Sequence, residues 1–333
     1  MVSHFINKTK RNQITLIDPP RITAEGNQIY CPQTNIKIVT DVNIRYDSSE
    51  PTTNTISIQI SSGYVSGQDI LKLSDTYTNP SIIGTFNSVE GKLTLTSTNG
   101  DLPYEDFITA IKEVVFYNSS TNPSGTREFS INLGRGNLSY LPRNGHYYEF
   151  VSALNIYWTA ARAAAETRSY YGLEGYLTTL TAADEAQLAG AQAPGTGWIG
   201  GSDAETEGVW KWVTGPEAGT VFWNGLNNGS SPNYANWNSP REPNNSGDED
   251  YAHITSSEAG NPGTWNDLPD AGRPNTSAYQ TKGYIVEYGG MSGETSLQLS
   301  ASTKITISQI TSTTAASRCD NGSVTLAADT PSG

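Results

Sequence analysis

The sequence predicts two consecutive domains of different class: a β-sandwich, then an α+β domain with two helices and a long loop region. Three observations carry this. Short stretches before residue 141 alternate polar with apolar residues and are joined by Thr-, Ser-, Asn- and Gly-rich turns, the pattern of half-buried strands. Alanine-rich helical periodicity is confined to 158–189, and a run of tryptophans follows it. At 333 residues the chain is long enough for more than one core. The expected division is a tail and linker over 1–22, the sandwich over 23–141, the α+β domain over 142–290, and a trailing segment over 291–333 that holds a linker, with strand-like alternation at 296–300 and 304–308, and the start of a further repeat.

In the first domain Ile56, Ile58 and Ile60 alternate with Ser57 and Gln59, and Leu93 and Leu95 repeat the pattern. Val114 to Tyr117 and Glu128 to Leu133 add two more strands, with a polar turn over 118–125. Tyr104, Phe107, Ile108 and Ile111 fall at three- and four-residue spacing instead, which predicts one or two helical turns there.

The second domain opens on a strand over 146–151. Trp158, Ala161 and Ala165 then give a helix with one apolar face, closed by Gly172. A second short helix is expected over 182–189, with Thr181 as its N-cap and Gly190 after it. Trp198-Ile199-Gly200-Gly201 and 209–213 begin a β-rich half, and 283–288 reads as the closing strand beside the first. Trp198, Trp210, Trp212 and Trp265 are expected in the core. Trp237 and Tyr234, in the long loop, fit either core packing or stacking on a sugar ring.

Composition excludes several partners. There are 33 acidic against 20 basic residues, a net charge of −13, whereas nucleic acid and anionic membranes require a basic face. No apolar run reaches the roughly 20 residues of a membrane span, and residues 1–13 lack the apolar core of an intact signal peptide. Cys31 and Cys319 lie near opposite ends, so no internal disulfide framework is expected.

The chemistry concentrates in three short runs: Glu242-Pro243-Asn244, Glu249-Asp250 and Trp265-Asn266-Asp267. Glu242, Asn244, Glu249, Asn266 and Asp267 all present oxygen, and a hard dication such as Ca²⁺ takes about six to eight oxygen ligands. Three carboxylates and two amides leave room for a ligand's own oxygens. Pro243 adds a bond that can turn cis and direct its neighbours to one point. Two of Glu242, Glu249, Asp250 and Asp267 would also permit glycosidase acid–base chemistry. Their tight grouping with asparagines suits a cation better than proton transfer, so no enzyme is expected.

These runs, with the order strand, helix, helix, Trp-Ile-Gly-Gly and long loop, resemble a C-type lectin domain over the whole of 142–290. The resemblance implies that Glu242, Asn244, Glu249, Asn266 and Asp267 bind both Ca²⁺ and sugar. Glu-Pro-Asn implies mannose-type glycans (mannose, glucose, N-acetylglucosamine or fucose). Asn245 and Asp250 resemble half of an auxiliary calcium site, with Asp203, Glu205, Glu207 and Glu217 as candidates for the other half. The family's cysteines are absent: Ala165 and Val286 stand where one pair is expected, and Tyr251 at one position of the other. A domain of this fold that binds a protein or another surface without sugar is the alternative.

Gly91 to Leu95, 104–111, 115–118 and 126–129 resemble cadherin-like repeats of bacterial surface proteins, and an unrelated immunoglobulin-like sandwich makes the same structural expectation. The stretch from Cys319 resembles the start of a truncated immunoglobulin-like repeat. Together these resemblances imply an extracellular adhesin on a bacterial surface, of the Bacteroidetes gliding type.

Overall fold

A computed structural model describes residues 19–48, 51–133, 137–193, 197–255, 260–274 and 278–307, with the backbone of two further strands, Ser312–Thr314 and Ala327–Asp329. The chain is mostly β-sheet with three short α-helices among the described residues. None of these helices is long and apolar enough to cross a membrane.

The alternating stretches of the first half form a six-stranded sheet. Its order in space is Asn27–Tyr30, Ser300–Ile307, Thr126–Asn132, Thr55–Ser62, Lys92–Ser97 and Ile82–Asn87. A three-stranded sheet of Ile36–Lys37, Val114–Asn118 and Asp69–Leu73 shares its core. Ile56, Ile58, Ile60, Leu93, Leu95, Phe116, Phe129 and Ile131 are all buried there. The helix Tyr104–Ile111 forms as expected and buries Tyr104, Phe107, Ala110 and Ile111. Burying the Asp69 carboxylate is tolerable because Arg127 Nε donates to it at 2.6 Å and Asn118 Nδ2 at 2.5 Å.

The trailing segment departs from expectation. Ser300–Ile307, anticipated within a linker, lies inside the first sheet, antiparallel to Thr126–Asn132 and parallel to Asn27–Tyr30. Thr303, Ile305 and Ile307 are buried, so the alternation read in the sequence belongs to a central strand. The residues between Asn132 and Ser300 therefore form an excursion from one strand pair. The expected immunoglobulin-like start over 319–326 lies outside the described residues.

The first boundary shifts as well. Leu138–Leu141 pairs with His146–Ser152, and Leu138 and Leu141 pack in the cores of the second half. The ten-stranded sheet there runs Leu138–Leu141, His146–Ser152, Gly283–Tyr288, Trp198–Ser202, Val209–Trp212 and Val221–Asn224 along its main path. Tyr251–Ile254 joins Trp198–Ser202 to Trp265–Leu268. His146–Ser152 and Gly283–Tyr288 are neighbours, Tyr147 facing Tyr288.

The helix Trp158–Glu166 buries Trp158, Ala161 and Ala165. Ala165 and Val286 lie fully buried in one apolar cluster, and Tyr251 stacks on Trp158 at 4.5 Å between ring centroids. The second helix is a short α-turn, Ala183–Glu185, continuing as the π-helix Ala186–Ala191. Its start is reversed from the expected cap. Thr181 N and Oγ1 both donate to the Glu185 carboxylate, at 2.6 and 2.8 Å, and the capping position is Ala182 with no side-chain cap.

Trp198, Trp210, Trp212 and Trp265 are buried as expected. Trp237 joins them, its ring 4.7 Å from that of Trp210, which settles it as a core residue. The paired glycines of Trp-Ile-Gly-Gly have a packing reason. A Cβ on Gly200 would come within 2.0 Å of Thr214 Oγ1, and one on Gly201 within 3.0 Å of Phe222 and Ala252.

Candidate functional site

The three runs converge. Tyr251–Ile254 and Trp265–Leu268 pair antiparallel, with His253 facing Asn266 and Ala252 facing Asp267. The 242–250 loop folds against the end of this pair, and the Glu242–Pro243 bond is cis. Glu242, Asn244, Ser246, Glu249, Asn266, Leu268, Arg273 and Tyr279 line one cavity of about 180 Å³. Asp267, almost fully buried, anchors the loop: its carboxylate accepts the backbone N–H of Asn244 at 2.9 Å and of Asn245 at 2.7 Å. These charge-assisted bonds hold the Asn244 and Asn245 backbone while the Asn244 side chain reaches Glu242.

Electrostatically the cavity is short of positive charge. Burial pushes the Glu242 carboxyl up to about 8, with the Asp267 charge adding to the effect. Burial raises Asp267 as well. It also raises Glu249, with Arg273 opposing. Among the described residues Glu242 has no cationic partner. Asn244 Nδ2 donates to the Glu242 carboxylate, and Asn266 Nδ2 donates to the Asp267 backbone carbonyl at 2.7 Å. The expected donors and acceptors thus satisfy one another. An oxygen-only donor set with crowded, buried carboxylates fits a hard divalent cation.

Asn245 and Asp250 face a neighbouring group rather than this cavity. Glu207, Asp248 and Asp250 bring carboxylate oxygens within 4.8 Å of one another, and Asn245 Nδ2 donates to Glu207 at 2.8 Å. Of the four acidic candidates, Glu207 is in place. Glu205 is paired with Lys211 at 2.9 Å, and Glu217 accepts from Thr179 at 2.7 Å. Asp203 is buried beside the trio, its N–H bonded to the Asp250 carbonyl. Its Oδ1 has no hydrogen-bond partner among the described residues, and burial lifts the carboxyl to about 7.

No family model matches the chain. It is 36% identical over 287 residues to halomucin of Haloquadratum walsbyi, a match that covers 83% of this chain and 3% of that protein. The chain thus spans a small fraction of the length of the relative it matches.

Sequence reasoning missed Arg273, Tyr279, Ser246 and Asp248. Arg273 matters most: its Nη2 donates to Glu249 Oε1 at 2.5 Å and to the Ser246 carbonyl at 2.7 Å. A lone arginine in a Gly- and Pro-containing loop carries no motif, so only the fold brings it to Glu249.

Proposed function

We propose that the 142–290 segment is a C-type lectin-like domain that binds mannose-type glycans through a divalent cation, Ca²⁺ by the chemistry of its donors. The segment before it, with the returning strand, is read as a cadherin-like sandwich that serves as spacer in a cell-surface adhesin. The observation that carries the reading is the convergence of Glu242, Asn244, Glu249 and Asn266 on one cavity, with Asp267 bonded to the loop that carries them. Similarity to a stretch of halomucin, a name that speaks of a mucin-like protein, supports an extracellular setting.

A bound dication supplies electrostatic attraction for the oxygens of two adjacent sugar hydroxyls. The side chains do the rest. Each hydroxyl donates to a carboxylate and accepts from an amide NH₂, which uses both of its capacities. Glu242 and Asn244 serve one hydroxyl; Glu249 and Asn266 serve the other. The amide donors now spent on Glu242 and on the Asp267 carbonyl turn to the sugar. Glu207, Asp248 and Asp250, with Asp203 beside them, form the second cation-holding group in this reading.

Monosaccharide affinity through one such site is about millimolar, near −4 kcal/mol, so attachment depends on many copies. The test is retention on a mannose column in calcium, repeated in chelator and with Glu242→Gln plus Asn244→Asp. Calcium-dependent retention lost in the double variant supports the reading. Calcium binding without any glycan response favours a domain that recognises a protein surface instead.

A further inference from the structure

We propose that Arg273 is an internal counter-ion that competes with the dication for Glu249, and so sets the cation concentration at which the cavity fills; this rests on the cation-binding reading above.

The Glu249 side chain is 3% exposed, and both of its oxygens are engaged. Oε2 accepts the Ser246 N–H at 2.9 Å, and Oε1 accepts Arg273 Nη2. A carboxylate so buried needs a compensating charge to stay ionised. Arg273 supplies it: burial drives the Glu249 carboxyl up and the guanidinium draws it down. Glu242, across the same cavity, has no such partner among the described residues. Of the two cavity glutamates, only Glu249 is therefore ion-paired within the chain among the described residues.

That service has a consequence. A guanidinium on Oε1 takes up the oxygen a metal ion needs, and two cations beside one carboxylate repel each other. Filling the cavity then becomes an exchange in which the dication enters and the guanidinium withdraws. Withdrawal is open to Arg273, because its side chain is 40% exposed and sits in a loop at the cavity edge. Its other anchor, the Ser246 carbonyl, belongs to the same loop as Glu249, so the contact senses whether that loop is loaded.

The experiment is calorimetric titration of the full chain with Ca²⁺ alone, comparing the native protein with Arg273→Gln and Arg273→Lys. The glutamine variant is expected to bind Ca²⁺ roughly 2- to 5-fold more tightly, the size of effect that a partly exposed ion pair carries. The lysine variant, which keeps a charge but not the planar guanidinium whose Nη2 bonds both Glu249 and Ser246, is expected to fall between the two. In chelator the glutamine variant should melt lower than the native chain. Its rise on adding calcium should be larger, which a residue that merely shapes the loop does not produce. Unchanged or weaker Ca²⁺ binding by Arg273→Gln overturns the proposal, because it makes Arg273 a support for Glu249 rather than a competitor. Should that variant fail to fold, native-like affinity in Arg273→Gln's lysine counterpart overturns it as well. Absence of Ca²⁺ binding by the native chain removes the cation reading itself, and this inference with it.

Discussion

Asn132 and Ser300 lie 168 positions apart in sequence and face each other across adjacent strands of the first sheet, joined by a side-chain hydrogen bond. Leu133 N–H donates to the Leu299 carbonyl at 2.9 Å just beyond them. The chain thus leaves the first sheet after Asn132, builds the entire second unit, and returns to complete the sheet. Gln192 Nε2, donating to the carbonyls of Ile60 and Glu90, ties the excursion back to the strands it left.

A chain ending at residue 299 lacks Ser300–Ile307, the strand between Asn27–Tyr30 and Thr126–Asn132. Hydrogen exchange at Ile56, Ile58 and Ile60 should lose most of its protection in the shortened chain, while 137–299, with its own cores, should still unfold cooperatively. Full protection in the shortened chain would contradict the topology.

Trp237→Ala is expected to cost about 3–5 kcal/mol of stability, as for other buried aromatics, because its ring packs on Trp210, Phe222 and Trp265. Denaturant unfolding measures this. A change confined to glycan affinity, with the unfolding midpoint untouched, would return Trp237 to the binding surface.

His253 is buried on the strand Tyr251–Ile254, opposite Asn266, its Nε2 without a hydrogen-bond partner among the described residues, and burial, helped by Lys282, depresses its folded pKa to about 3. The unfolded chain, titrating near 6.5, takes up this proton first as pH falls. Stability from the neutral ring is present above about 6.5 and is lost towards about 3, by roughly 1.4 kcal/mol per pH unit within the window. His253→Phe should flatten the curve between pH 6.5 and 4.5 relative to the native chain. Parallel curves would show that the ring titrates normally.

Glu242 acts in the opposite direction. Its folded pKa, about 8, exceeds the unfolded value near 4.3. In chelator the folded state holds the extra proton, so this contribution is present at low pH and is lost as pH rises from about 4.3 to 8. Ca²⁺ should displace the proton and raise the melting temperature more at pH 8 than at pH 6. Equal shifts at both values would argue that Glu242 is not a ligand.

Local patterns announced much of this. The alternation of Ile56, Ile58 and Ile60 and the spacing of Tyr104, Phe107 and Ile111 each encode burial within a few residues. The five oxygen-bearing side chains were legible because three short runs carry them. What stayed hidden depends on distance along the chain. The alternation of 300–307 shows a strand but not its partner 168 positions earlier. The Arg273 contact with Glu249 spans 24 positions. Trp237 could not be assigned from a loop sequence, because only the fold places Trp210 and Trp265 around it. The auxiliary acids were half legible: Asp250 and Glu207 were among the candidates, whereas Asp248 joins them only through the turn of the loop.

The central claim is that the cavity between Glu242 and Glu249 holds a divalent cation, and direct Ca²⁺ titration of the chain tests it most plainly. The native protein should bind Ca²⁺, and Glu242→Gln and Glu249→Gln should each weaken that binding by about tenfold or more, the loss of one charged ligand being worth at least ~1.4 kcal/mol. Ca²⁺ binding left intact in both variants, or absent from the native protein, would contradict the account.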